Sequence, residues 1–234
     1  MNEVAKDVAP RGQLENDLDA RGFATIENLL TATQCNSMLR LYESHAGFRS
    51  RVVMSRHGFG QGEYKYFAYP LPELLCELRD SLYSQLVSTA NRWSAALRCD
   101  RRFPVRYADY LGICHAAGQT QPTPLLLQYG AGDYNRLHQD LYGEHVFPLQ
   151  VTVLLDEPGR DFTGGEFVLT EQRPRTQTKV EVVPLRKGDA VAFAVHHRPV
   201  ASGCGASRVN MRHGVSRVHS GWRRTLGIIF HDAK

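Results

Sequence analysis

Apolar residues follow two different rhythms along this chain, and the change falls near Arg102. Before it they recur every three or four positions, the spacing that gathers them on one face of a helix. Thr31-Ala32-Thr33-Gln34 has the spacing of a capping box, with Thr31 able to cap and Gln34 able to reach back, and Cys35, Met38, Leu39 and Tyr42 follow on one face. A helix is predicted from about 31 to 44. Pro72 precedes a longer stripe, Leu75, Leu78, Leu82, Leu86, Ala90, Trp93 and Leu97, which predicts the longest helix of the chain. Between the two lies Ser55 to Tyr69, where Gly58, Gly60 and Gly62 interrupt regular structure ahead of Tyr64, Tyr66, Phe67 and Tyr69. That segment reads as a loop with an attached strand.

After Arg102 the apolar runs become short, rich in Val, Leu, Ile, Tyr and Phe, and are separated by Gly, Pro and Asp. Strands are predicted at Val105 to Cys114, Pro124 to Tyr129, Leu149 to Leu155, Gly165 to Leu169, Val180 to Val183, Ala190 to Ala194, Val209 to Val218 and Thr225 to His231. A row of strands without helical interruption, behind a helical first third, points to an α+β fold: a double-stranded β-helix (jelly roll) core packed against N-terminal helices. One domain over 1–234 is expected, with about 1–100 as helical support and about 102–234 as the jelly roll. No repeat, low-complexity tract or linker divides the chain, and Ala116 to Pro124 reads as a loop.

Composition narrows the class. With 42% hydrophobic and 22% charged residues the chain suits a soluble globular fold, and no apolar stretch approaches the 18 or so residues of a membrane helix. Met1 to Gly12 lacks the apolar core of a signal peptide, so a cytoplasmic location is expected. Cys35, Cys76, Cys99, Cys114 and Cys204 are odd in number, scattered and free of C-x-x-C pairs, and read as reduced thiols. The net charge is only +4, yet His196 to Arg224 holds Arg198, Arg208, Arg212, Arg217, Arg223 and Arg224 with no acidic residue. Such a segment suits either an anionic partner or a solvated basic surface.

His138-Gln-Asp140 carries the candidate chemistry. In an extended chain residues i and i+2 point to the same side, so the imidazole and carboxylate can converge on one ion. A second histidine would complete a facial set that leaves positions open for a bidentate cosubstrate and for oxygen. If that cosubstrate is 2-oxoglutarate, its distal carboxylate needs an arginine fork, expected on a strand adjacent to the second histidine. Ten positions beyond His213 stands Arg223, whereas the same step from His196, His197 or His219 reaches Ala206, Ser207 or Ile229. The metal ligands predicted are therefore His138, Asp140 and His213, with Arg223 as the anion anchor. His213 to Gly221 reads as one strand turning at Ser220-Gly221, and Thr225 to Phe230 as the return.

These pieces, from Gln128-Tyr129-Gly-Ala-Gly132 through Tyr134, His138-Gln-Asp140, Val151 to Leu155 and Phe162-Thr-Gly-Gly-Glu-Phe167 to His213 and Arg223, resemble the signature of the Fe(II)/2-oxoglutarate dioxygenase superfamily. The resemblance implies Fe(II), 2-oxoglutarate and O2 as cofactor and cosubstrates, and oxidative decarboxylation of 2-oxoglutarate coupled to substrate hydroxylation. It also implies that Tyr129, with Gln128 or Tyr134, hydrogen-bonds the cosubstrate, and that Gly164-Gly165 turns into the strand bearing Glu166. No catalytic group beyond the metal ligands is implied. Two departures stand out: Arg224 beside Arg223 can take its role by a one-residue shift, and the segment from Phe193 to His213 is long.

The whole chain also resembles a bacterial subfamily labelled as oxygenases for oxidative dealkylation of damaged nucleic acid, a DNA-repair chemistry. Under that reading Arg208 and Arg212, together with Arg98, Arg101, Arg102 and Arg106, meet phosphates of a single strand, and Tyr64 and Tyr66, with Phe67 and Tyr69, stack an extruded base. Arg56 to Tyr69, with its three glycines, would form a mobile cover. A shared fold does not fix a substrate, so hydroxylation of a protein side chain, amino acid or small metabolite remains open. A non-catalytic jelly-roll module and a zinc hydrolase at the same triad are the further alternatives; the ten-residue step to Arg223 and the Thr163 to Phe167 match argue against the first, and the second leaves Arg223 and Tyr129 without a task.

Overall fold

The computed structural model describes residues 11–234 except His45 and Cys204, so the expectation drawn from the N-terminal segment and the reading of Cys204 as a thiol lie outside the described residues. In chain order the elements are α1 (Arg11–Arg21), β1 (Phe23–Ile26), α2 (Ala32–Glu43), β2 (Phe48–Val53), a 3-10 turn (Met54–His57), β3 (Gly60–Gln61), β4 (Glu63–Phe67), α3 (Glu73–Ala96) and α4 (Tyr107–Ala116). There follow β5 (Leu125–Tyr129), β6 (Tyr134–His138), β7 (Leu149–Leu154), β8 (Phe162–Gly164), β9 (Phe167–Gln172) and β10 (Lys179–Val183). The last five strands are β11 (Ala190–Ala194), β12 (His197–Ser202), β13 (Gly205–Val215), β14 (Val218–Gly221) and β15 (Arg223–Ile228).

Thr31 caps α2 as its spacing predicted: its hydroxyl accepts from the Gln34 amide at 3.2 Å and the Gln34 side chain accepts from the Thr31 amide at 2.9 Å. The Leu75-to-Trp93 stripe buries one face of α3, each leucine contributing on the order of 1.5–3 kcal/mol by leaving water. The predicted strand at Val105 to Cys114 is instead α4. Its aromatic and β-branched content suggested a strand, but Tyr107, Tyr110 and Cys114 are its buried residues, a helical period that the aromatic cluster around Phe147 and Phe230 rewards. The first third also contains β1, β2 and β4: β1 pairs with β11 far along the chain, β2 pairs with β4, and β4 in turn pairs with β5.

Two sheets form the roll, and nearly all of the predicted β-region strands fall in it. A seven-stranded sheet runs β1-β11-β7-β15-β5-β4-β2, and a second sheet runs β10-β9-β13-β6-β3 with β12 added on β13. On the seven-stranded sheet alternate residues sort cleanly. Leu126, Val151, Val153, Leu226 and Ile228 join the core with α2 and α3, while Leu125, Leu127, Tyr129, Gln150, Thr152, Arg223 and Thr225 line the interior of the roll. The sheets therefore face each other across an interior that is partly polar.

Two local expectations change. His213 to Gly221 is not one strand: β13 ends at Val215, Ser216 and Arg217 leave the sheet, and β14 pairs with β8 as a separate ribbon. Arg223 consequently does not lie on a strand adjacent to that of His213. The chain crosses between the sheets in those ten residues, and β15 pairs with β5 and β7. The Arg56 to Tyr69 cover is likewise corrected, because β4 sits between β2 and β5 inside the sheet and β3 is paired with β6.

Candidate active site

His138 ends β6 and His213 lies opposite it on β13, a cross-strand pair whose ring centroids are 4.2 Å apart. Asp140 lies beyond the end of β6, so its position owes less to strand alternation than the sequence suggested. Hydrogen bonds place it instead. The Tyr142 hydroxyl donates to Asp140 Oδ1 at 2.9 Å, and Gln150 Nε2 donates to Oδ2 at 2.9 Å. The same two oxygens face His138 Nε2 at 3.5 Å and His213 Nε2 at 3.4 Å. One ligand atom from each of the three residues lies within 4.8 Å of the others, a donor set that fits a divalent cation.

The surroundings prepare these atoms. His138 Nδ1 is 2.8 Å from the carbonyl of Arg136, which fixes the proton on Nδ1 and turns the Nε2 lone pair toward Asp140. Burial alone would raise the Asp140 carboxyl, but hydrogen bonds and charge from His138 and His213 outweigh it and hold it well below the usual carboxylate range. Burial pushes His213 down, favouring the neutral imidazole that a metal needs.

The triad opens into a cavity of about 410 Å³ whose walls come from both sheets. Arg223 lines it from β15. It is 2% exposed, and its Nε and Nη1 have no hydrogen-bond partner. A buried guanidinium without an anion is costly, and burial lowers its pKa to about 10, still protonated near neutrality. An incoming carboxylate fits this group.

Register separates Arg223 from Arg224. Arg223 pairs with Tyr129 and Arg224 with Gln128, so the two pairs occupy opposite faces. Arg224 forks onto Asp156, Nε to Oδ2 at 3.0 Å and Nη2 to Oδ1 at 2.9 Å. Tyr129 is fully buried, its hydroxyl accepts from Asn135 Nδ2 at 3.3 Å, and it lines the cavity. Gln128 shares the other face with Arg224, and Tyr134 lies under Arg217, 5.1 Å from ring centroid to guanidinium; neither lines the cavity.

The other expected substrate contacts divide. Tyr64 lines the cavity, whereas Tyr66 is 8% exposed and spends its hydroxyl on Tyr142, and Phe67 is core. Arg208 and Arg212 are exposed on the outer face of β13, away from the cavity, while Arg198 is buried against Glu171. Sequence reasoning missed Asn135, Tyr142, Gln150, Thr152 and Thr225, all lining the cavity. A signal existed: Gln150 and Thr152 interrupt an apolar strand at alternate positions, which marks a polar interior face.

A jelly roll that brings two histidines and a carboxylate onto one cavity with a buried arginine is the setting of an oxygenase. The chain belongs to the oxygenase family described as catalysing oxidative methylation of damaged DNA, whose model matches residues 62–233. An uncharacterized protein of Mycobacterium tuberculosis is 47% identical over 167 residues, 71% of this chain and 72% of that protein. Among solved structures, a Pseudomonas putida prolyl-4-hydroxylase superposes with a TM-score of 0.56 at 14% identity, covering 93% of this chain and 96% of that one. A Trichoplax adhaerens prolyl hydroxylase, in complex with a hypoxia inducible factor peptide fragment, gives 0.61 at 16%, with coverages of 95% and 89%. These two likenesses establish the fold. No helix among the described residues is long and apolar enough to cross a membrane.

Proposed function

We propose that His138, Asp140 and His213 hold Fe(II), that Arg223 anchors the distal carboxylate of 2-oxoglutarate, and that the substrate is an alkylated base in damaged nucleic acid. The observation that carries this reading is the buried Arg223 guanidinium, whose Nε and Nη1 have no hydrogen-bond partner, on the same cavity as the triad. The family description supports the choice of substrate.

With iron and 2-oxoglutarate bound, the site consumes O2 and 2-oxoglutarate, yields succinate and carbon dioxide, and hydroxylates a substrate C–H bond. The residues supply positioning. Asp140 is held on both oxygens by Tyr142 and Gln150, and His138 is oriented by the Arg136 carbonyl. Leu125, Leu127, Phe167, Phe193 and Val215 give the cavity apolar walls that limit water. When the hydroxylated carbon is an N-methyl, the product collapses and releases formaldehyde.

The test pairs succinate with formaldehyde, measured on methylated and unmethylated single strands. Arg223→Ala is expected to lose about 2–5 kcal/mol of 2-oxoglutarate affinity, the loss of a charge pair in a buried site. Arg224→Ala is expected to lose little. Equal losses, or succinate formation driven by free amino acids or peptides while methylated strands release no formaldehyde, overturn the anchor and the substrate respectively.

A further inference from the structure

Nine large apolar side chains are exposed among the described residues, and three of them, Phe59, Leu137 and Leu141, stand on the cavity that holds the triad, at 49%, 45% and 47% exposure. Such clustering at one opening marks a recognition surface. Phe59 is unusual among them because its backbone is fixed while its ring is not covered. Its amide donates to the Met54 carbonyl at 3.2 Å and its carbonyl accepts from the Arg136 amide at 2.9 Å. Gly60 follows at φ 141, and a Cβ there would stand 2.3 Å from the Tyr134 carbonyl oxygen, so only glycine lets this segment lie against β6. The Phe59 ring stacks on His57, with centroids 5.4 Å apart and planes at 22°.

Cations lie close to Phe59 on both segments that meet there. Residues 54–62 carry Arg56 and His57, residues 134–139 carry Arg136 and His138, and neither segment contains Asp or Glu. Arg136 itself lines the cavity. A half-exposed aromatic ring on a fixed pedestal, beside Arg56 and Arg136 and with the Asp140 carboxylate engaged by Tyr142 and Gln150, suits a planar base attached to a phosphate backbone, because every base offers a stacking face and each phosphate a negative charge. Of the four rings expected from sequence to do this, Tyr66 and Phe67 are buried, Tyr69 is exposed but away from the cavity, and Tyr64 lines the cavity inside the mouth where Phe59 stands half-exposed.

We infer that Phe59, flanked by Leu137 and Leu141, is the stacking residue that receives an unstacked nucleobase of single-stranded nucleic acid at the mouth of the iron site, with Arg56 and Arg136 on the adjoining phosphates. This rests on the nucleic-acid reading above. The ring holds the base at the entrance, so the alkyl group enters the cavity while the sugar and phosphates stay outside.

The experiment uses the full chain, a short single-stranded DNA with one methylated base, and the same strand with that base removed to leave an abasic site. Stacking on an aromatic side chain contributes about 1–3 kcal/mol per base, so Phe59→Ala is expected to weaken the intact strand about 5- to 100-fold. The abasic strand should bind wild type and Phe59→Ala equally, and Phe59→Tyr should restore binding to the intact strand. The affinity for 2-oxoglutarate, titrated without oxygen, should stay within about twofold, placing the loss at the base. Unchanged binding of the intact strand by Phe59→Ala, or equal losses on intact and abasic strands, overturns the stacking role while leaving the substrate class in place. If wild type binds neither strand at low salt and a peptide draws succinate formation instead, the substrate class and the inference fall together.

Discussion

Gly165 offers the sharpest test of how the cosubstrate anchor is held. Its φ is 65°, and a Cβ built there stands 2.8 Å from Arg223 Cδ and 2.9 Å from Val218 Cγ2. Contacts below 3.0 Å do not persist, so Gly165→Ala must displace the Arg223 stem or the β14 wall by several tenths of an ångström. Alanine at positive φ also costs about 1–2 kcal/mol of stability wherever it occurs. Gly159→Ala provides the matched control, since Gly159 has φ 81° and open space beyond its Cα. Both variants should lose the stability that positive φ costs, and Gly165→Ala somewhat more for its clash. Only Gly165→Ala should misplace the guanidinium, and forfeiting half of a bidentate contact, roughly 1.5 kcal/mol, weakens 2-oxoglutarate about tenfold. Calorimetric titration of the iron-loaded protein with 2-oxoglutarate, without oxygen, reads this directly, alongside thermal melts. Equal 2-oxoglutarate affinity in the two variants would refute the idea that this glycine sets the arginine.

Two further outcomes follow from the same site and its surroundings. Tyr142→Phe and Gln150→Leu each free one Asp140 oxygen and should weaken iron binding about 10- to 100-fold, as losing an outer-shell partner does; undiminished metal affinity by competition with a chelator would count against it. Acid should destabilise the fold before any carboxylate titrates, because burial lowers His231 to about 3 and His196 to about 4. Both stay neutral in the fold while the unfolded chain takes up protons below about 6.5, so stability is complete above that pH and falls as pH drops from about 6.5 toward 4, by up to about 1.4 kcal/mol per unit for each proton. His231→Asn should flatten that slope in urea melts across the window, and an unchanged slope would exclude His231 as its source.

What could be read from the sequence was whatever depended on near neighbours. The capping box at Thr31 and the stripe of α3 are local patterns, and both formed where the spacing put them. Strand β1 escaped notice because it is specified by a distant partner, Phe23 by Phe193, whereas β2 pairs nearby, Val53 with Glu63, across a glycine-broken segment with no short hairpin signal. In the site, the spacings that singled out His138, Asp140, His213 and Arg223 led to residues that share one cavity, although the reason differed for two of them. Asp140 is held by Tyr142 and Gln150, not by strand alternation, and Arg223 meets the triad from the opposite sheet. Tyr66 was misjudged because an aromatic run does not say which of its rings the neighbouring strands will cover.

The division of the site between two sheets has a mechanical meaning. His138 and His213 belong to the sheet of β6 and β13, and Arg223 to the sheet of β5, β7 and β15. The gap between the proposed iron ligands and the proposed anion anchor thus spans the roll from sheet to sheet, set by the packing of two layers. A dicarboxylate held at both ends acts as a tie rod across that gap, so cosubstrate binding and cohesion of the two sheets are one equilibrium. At a hundredfold excess over its dissociation constant such a ligand adds about 2.7 kcal/mol to the folded state, and the sheets' tendency to part opposes binding by the same coupling.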